Sequence, residues 1–219
     1  MRRVISLFLT VLFLLSALAG CNEMPAVNGN VKPGQHFSQY DTLTDLYGTP
    51  WREVLEKLDI DQQELDLEGL NCVGIPRQEN YADITLNTAL RFGGDENRLL
   101  GVEYTATYKY PEEEGELLRD LVMINRELIS DFGNASDTSF VLNWAEKMLG
   151  EKWNRKIPYW QDVQVLKRLV DEGYEGRILY WNLTPVASAA VKKVHSNHGL
   201  SVNVSILETE GLAVITINY

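Results

Sequence analysis

Residues able to do chemistry stand at a few places in this 219-residue chain. The densest is aromatic. Four of the five tryptophans (Trp144, Trp153, Trp160 and Trp181) fall within 38 residues, with Tyr159, Tyr174 and Tyr180 among them. The stretch from Lys152 to Trp160 also carries Arg155 and Lys156, a basic patch in an acidic protein. Aromatic rings beside arginine can stack on sugar rings or anchor a protein contact. Trp153, Arg155, Tyr159 and Trp160, in or beside a loop, are therefore the candidate ligand- or partner-binding residues. Trp144 and Trp181 lie on helical and strand patterns that suit core packing.

His195 and His198 stand three apart at the end of a predicted helix, a spacing that can share a metal. A third ligand would have to come from elsewhere, and imidazole also suits a helix C-terminus for its charge alone. Asp59, Asp61, Glu64, Asp66 and Glu68 crowd together, yet Glu64 stands where a calcium loop needs glycine and Leu70 where it needs glutamate. That run reads as a solvated acidic loop. Cys72 could be a nucleophile if a histidine faced it, and otherwise behaves as a small buried hydrophobe. No HExxH, GxSxG, phosphate-cradling glycine loop or CxxC pair occurs, so no motif calls for a catalytic residue, a metal or a cofactor.

The N-terminus carries an address. Arg2 and Arg3 precede an apolar run from Val4 to about Leu15, too short for a comfortable membrane span and built like an export signal. Leu18-Ala19-Gly20-Cys21 resembles the lipobox of bacterial lipoproteins. The resemblance implies that the Cys21 thiol receives a diacylglyceryl group and that residues 1–20 are removed. Residues 21–40 then read as a lipidated tether with Pro25, Gly29, Pro33 and Gly34, reaching roughly 25 Å. The partner of this end is the membrane, entered through the acyl chains on Cys21.

Composition fits that placement. Formal charge is −11, and removing residues 1–20 takes Arg2 and Arg3 and no acid, leaving −13. Such a face is repelled by anionic lipid and argues against nucleic acid as a partner. Hydrophobic content of 45 % and 23 % charged residues describe a globular domain able to bury a core, over residues 41–219.

Elements follow from periodicity. Thr49 can cap and Pro50 can open a helix carrying Trp51, Val54, Leu55 and Leu58. Leu65–Leu67 and Leu70–Ile75 are short apolar pieces, the latter bounded by Pro76. Alternation at Ile84–Phe92 and Leu100–Tyr108 about a Gly93-Gly94 turn predicts an antiparallel hairpin. Helices are predicted after Pro111 to Gly133, near Thr138–Leu149, and near Pro158–Glu172. A strand at Arg177–Leu183, a helix from Pro185 to about Asn197, and a hairpin about Glu210-Gly211 complete the chain. Two helix-then-hairpin halves, about 41–110 and 111–219, predict an α+β fold with helices on one face of an antiparallel sheet and a helical insertion in the second half. One sheet running through both halves is expected.

Gly48, Thr49, Val54 and Leu58, with Phe132-Gly133 and Trp181, resemble the repeat of the β-lactamase-inhibitory-protein-like group, which includes small envelope lipoproteins. Asp59 stands in place of the closing glycine and Asn134 in place of proline. The resemblance implies a fold and a binding role, and it brings no catalytic residues. The expected function is a lipid-anchored, non-catalytic envelope module that binds a protein or glycan. The alternatives are a secreted hydrolase using paired carboxylates and a structural spacer.

Overall fold

The computed structural model describes residues 43, 45–65, 71–94, 96–150, 158–183 and 198–219. Cys21, the tether, Asp66, Glu68, Trp153, Arg155, His195 and the helix expected at 185–197 lie outside the described residues. Helix α1 (Trp51–Lys57) buries Val54 and Leu55. Its entry differs from expectation: Pro50 is the N-cap and no side chain caps the helix. Thr49 is held by its backbone instead, its carbonyl accepting from Leu99 N–H at 2.9 Å while Gly48 N–H donates to Leu99 O at 2.9 Å. At the helix start itself, Trp51 N–H donates to Asn97 O at 3.0 Å, so a backbone carbonyl serves where a capping side chain was expected.

Three strands follow, β1 (Cys72–Tyr81), β2 (Ile84–Gly93) and β3 (Arg98–Lys109). The sequence pattern predicts only the last two. Strand β1 runs on through Pro76 because its register shifts between Ile75 and Gln78 and because it lies at a sheet edge. Proline's missing N–H costs no ladder bond in such a place.

Helix α2 (Glu114–Phe132) lays Leu117, Leu118, Leu121, Ile124, Leu128 and Phe132 on the sheet. Gly133, at φ 77 and ψ −168, stops it in a conformation only glycine adopts readily. Helix α3 (Ser139–Leu149) ends at Gly150 in the left-handed region. The helix expected at 158–172 is divided. Tyr159–Gln161 form a 3-10 turn, and Asp162, extended at φ −108, caps α4 (Val163–Asp171) by accepting from the N–H groups of Gln164 and Val165. Strands β4 (Gly176–Leu183), β5 (His198–Leu207) and β6 (Leu212–Asn218) finish the fold.

The six strands form one antiparallel sheet in the order β1-β2-β3-β6-β5-β4. The halves meet at β3–β6, paired from Glu103↔Asn218 to Lys109↔Leu212. This is the expected α+β architecture with a continuous sheet. Val73, Leu90, Val102, Ile217, Val202 and Leu179 alternate onto the helix-covered face in a single core. The opposite face carries a polar row across all six strands: Gln78, Asn87, Thr105, Thr216, Asn203 and Arg177. Among the described residues no helix is long and apolar enough to cross a membrane.

Candidate functional site

Two of the four aromatic-segment candidates can be placed, and Tyr159 is a correction. It is 3 % exposed, and its hydroxyl donates to Ile178 O at 2.7 Å and lies 3.2 Å from Thr138 O. Burial pushes the phenol pKa up, so it stays a donor. The ring belongs to the core because the 3-10 turn carries it under the start of β4, where it joins the inserted helices to the sheet. Tyr159→Phe is expected to lower stability by about 1–3 kcal/mol, read from urea unfolding, since Ile178 O would be left buried without its donor. Trp160 is half-buried against the core, edge-on to Tyr159 at 5.1 Å. Its indole N–H is buried and finds no acceptor among the described residues. Trp181 is buried and Trp144 packs edge-on to Tyr174 at 5.2 Å, as core packing predicts.

Other candidates lose their chemistry to structure. Asp61 accepts from Gln63 N–H at 2.9 Å and caps a 3-10 turn. Cys72 is half-buried. Its thiol is pushed up to about 12, chiefly by burial and then by the Glu103 charge, with Arg91 opposing. A thiol so held is protonated at neutral pH and a poor nucleophile. Iodoacetamide at pH 8 is expected to label Cys72 roughly 100-fold more slowly in the folded chain than in urea, followed by the mass of its peptide. Among the described residues no group of three His, Cys, Asp or Glu side chains gathers to hold a metal.

A different site emerges where the sheet splits. The β2–β3 ladder has its last pair at Asn87↔Thr105, although β2 reaches back to Ile84 and β3 runs on to Lys109. Each strand keeps its outer partner there, through Tyr81↔Ile84 on one side and Lys109↔Leu212 on the other. Between them lies a cavity of about 490 Å³, within the range of roughly 300–1,000 Å³ common for ligand sites. Its walls include Thr85 and Asn87 from β2, Thr107 and Tyr108 from β3, and Asp120 and Met123 from α2.

Phase along β3 fixes what faces the gap. Val102 exchanges both backbone bonds with Tyr219, and Tyr110 N–H donates to Gly211 O. Backbone direction alternates residue by residue, so Thr105 and Thr107 turn their N–H and C=O toward β2. Thr105 meets Asn87, while Thr107 meets the cavity. On the opposite wall Thr85 stands in phase with Asn87. Two backbone donors and two acceptors thus flank the wedge. Its floor is a fixed polar cluster. Tyr108 hydroxyl donates to Asp120 Oδ2 at 2.9 Å and Arg119 Nε to Asp120 Oδ1 at 2.9 Å. Burial first, then the Asp120 charge, raises the Tyr108 pKa and keeps the phenol protonated.

Sequence reasoning passes over this site, yet one signal was present. Asp120 sits on the apolar stripe of α2, between Leu117 and Ile124, where a carboxylate needs a partner. No protein-family profile, no characterised protein and no solved structure matches this chain.

Proposed function

We propose that this chain is a lipid-anchored, non-catalytic binding protein of the bacterial cell envelope, with the β2–β3 wedge as its ligand site. The observation that carries the binding role is the wedge itself. Its backbone edges are turned toward the gap, amides and hydroxyls of Asn87, Thr85 and Thr107 line it from the strands, and on the helix side stands the Asp120 carboxylate, whose two oxygens already accept from Tyr108 and Arg119. Such a wall recognises a polar chain by hydrogen bonding. The export signal, the Leu18–Cys21 motif and the repeat-like residues Gly48, Thr49, Val54 and Leu58 support an envelope role from the sequence side.

Lipidation is tested by feeding cells an alkyne-bearing palmitate. The band should label, and Cys21→Ala should abolish the label. Binding is tested by retaining detergent-solubilised envelope and wall polysaccharide on the immobilised full chain. A partner held by the wild type and lost with Thr85→Arg, an exposed position whose new side chain fills the wedge, supports the reading. A partner held equally by that variant places the binding surface elsewhere. The hydrolase reading keeps one observation, Asp83 and Asp120 lining the same cavity. Turnover of wall polysaccharide abolished by both Asp83→Asn and Asp120→Asn would replace binding with catalysis.

A further inference from the structure

We infer that the wedge takes an extended, basic peptide segment, entering as a short strand between β2 and β3. This rests on the binding-module reading and names the ligand class of that site. Main-chain geometry favours a peptide over a glycan. Thr85 and Thr107 offer N–H and C=O groups from opposite walls, and each of their strands is already paired on its outer edge. A peptide backbone presents donors and acceptors on both flanks at strand spacing and can engage both walls at once. Sugar rings are held by flat aromatic faces, and the one aromatic ring in this lining, Tyr108, is 7 % exposed with its hydroxyl bound to Asp120.

Side chains on the inserted strand would alternate. One set would face Gln78 and Asn87, the other Ala106 and Met123. Charge sets the preference among peptides. Asp83 and Asp120 oppose Arg119 alone in the lining, in a protein of net charge −11. A lysine- or arginine-bearing segment is drawn in and an acidic one repelled. A cavity of about 490 Å³ holds a few residues, so recognition is of a short stretch.

The test uses the full chain in detergent, immobilised, with a pool of hexapeptides random at every position and mass spectrometry of what is retained. Retained peptides should be enriched in Lys and Arg and depleted in Asp and Glu, with the enrichment weakened by Asp83→Asn. Thr107→Pro removes the wedge-facing N–H without touching a ladder bond and should cut retention about tenfold, the loss of one such hydrogen bond. Thr107→Val keeps the N–H and should stay within about twofold of wild type. No retained peptide, or equal retention by a folded Thr107→Pro protein, overturns the inference. Should that variant fail to fold, the retained peptides are N-methylated at each amide in turn. Binding unaffected at every position overturns it equally. Capture of wall glycan at the wedge with no peptide retained overturns the peptide assignment and leaves the binding-module reading standing.

Discussion

Trp181→Ala is expected to lower the unfolding free energy by about 3–5 kcal/mol, the range for removing a large buried aromatic. The indole is 1 % exposed and lies in β4 opposite Leu200, on the helix-covered face. Its Nε1 also donates to Gly133 O at 2.8 Å, and Gly133 is the residue that ends α2. Trp181 therefore fills the core and ties the C-terminal end of the longest described helix to the second-half strands. Alanine would open a cavity and leave that carbonyl without its donor. For a domain of this size the loss corresponds to a fall in Tm of roughly 10 °C. Trp181→Phe keeps most of the volume and removes the donor, so its smaller cost reports the hydrogen bond together with the residual packing change. Urea titration with the slope compared between variants is the measurement. A midpoint unmoved by Trp181→Ala would mean that the indole is not a core residue.

The α+β architecture was legible because its main elements carry clean periodicity. Ile84, Leu86 and Leu90 alternate with polar neighbours, and Leu117, Leu121, Ile124 and Leu128 recur at helical spacing, so burial follows pattern. Strand β1 was obscured because Pro76 and Arg77 occupy its bulge and because Glu79, on the helix-covered face, is 1 % exposed. A strand that buries a carboxylate shows no alternation to find. Thr49 misled for another reason. Its residue type suits a cap, while the pairing of Gly48 and Thr49 with Leu99 is a long-range fact that local sequence does not hold.

The site was less legible than the fold for the same physical reason. Loop placement made the rings of Tyr159 and Trp160 look available, but both are carried against the core by a 3-10 turn that Asp162 divides from α4. The wedge depends on where a ladder stops, and no residue type announces that Asn87↔Thr105 is the last pair. Thr85 and Thr107 are ordinary strand residues until their backbones face a gap. Asp120 is the exception, since a charge on an apolar stripe is readable in advance and leads to Tyr108, Arg119 and the cavity they share.

Gly101→Ala is expected to cost about 1–3 kcal/mol, toward the upper end, although it adds a single methyl group. A Cβ on Gly101 would lie 2.7 Å from the backbone carbonyl oxygen of Tyr219. That oxygen is not free to retreat. It accepts from Val102 N–H at 3.0 Å and from the Tyr47 hydroxyl at 3.0 Å, while Tyr219 N–H donates back to Val102 O at 2.9 Å. The Tyr219 ring is itself 6 % exposed and packs against Phe132 at 6.3 Å. Relief of the clash must therefore move residues from both halves, at the seam where β3 meets β6. Gly74→Ala is the matched control, because nothing lies within 4 Å of its Cβ position in edge strand β1. It should be neutral or stabilising by up to about 1 kcal/mol, as alanine loses less backbone entropy on folding. Equal midpoints for the two variants would show that the close approach of Gly101 to Tyr219 does not constrain the seam. A large difference would show that the two halves are locked together by backbone contact as well as by core packing.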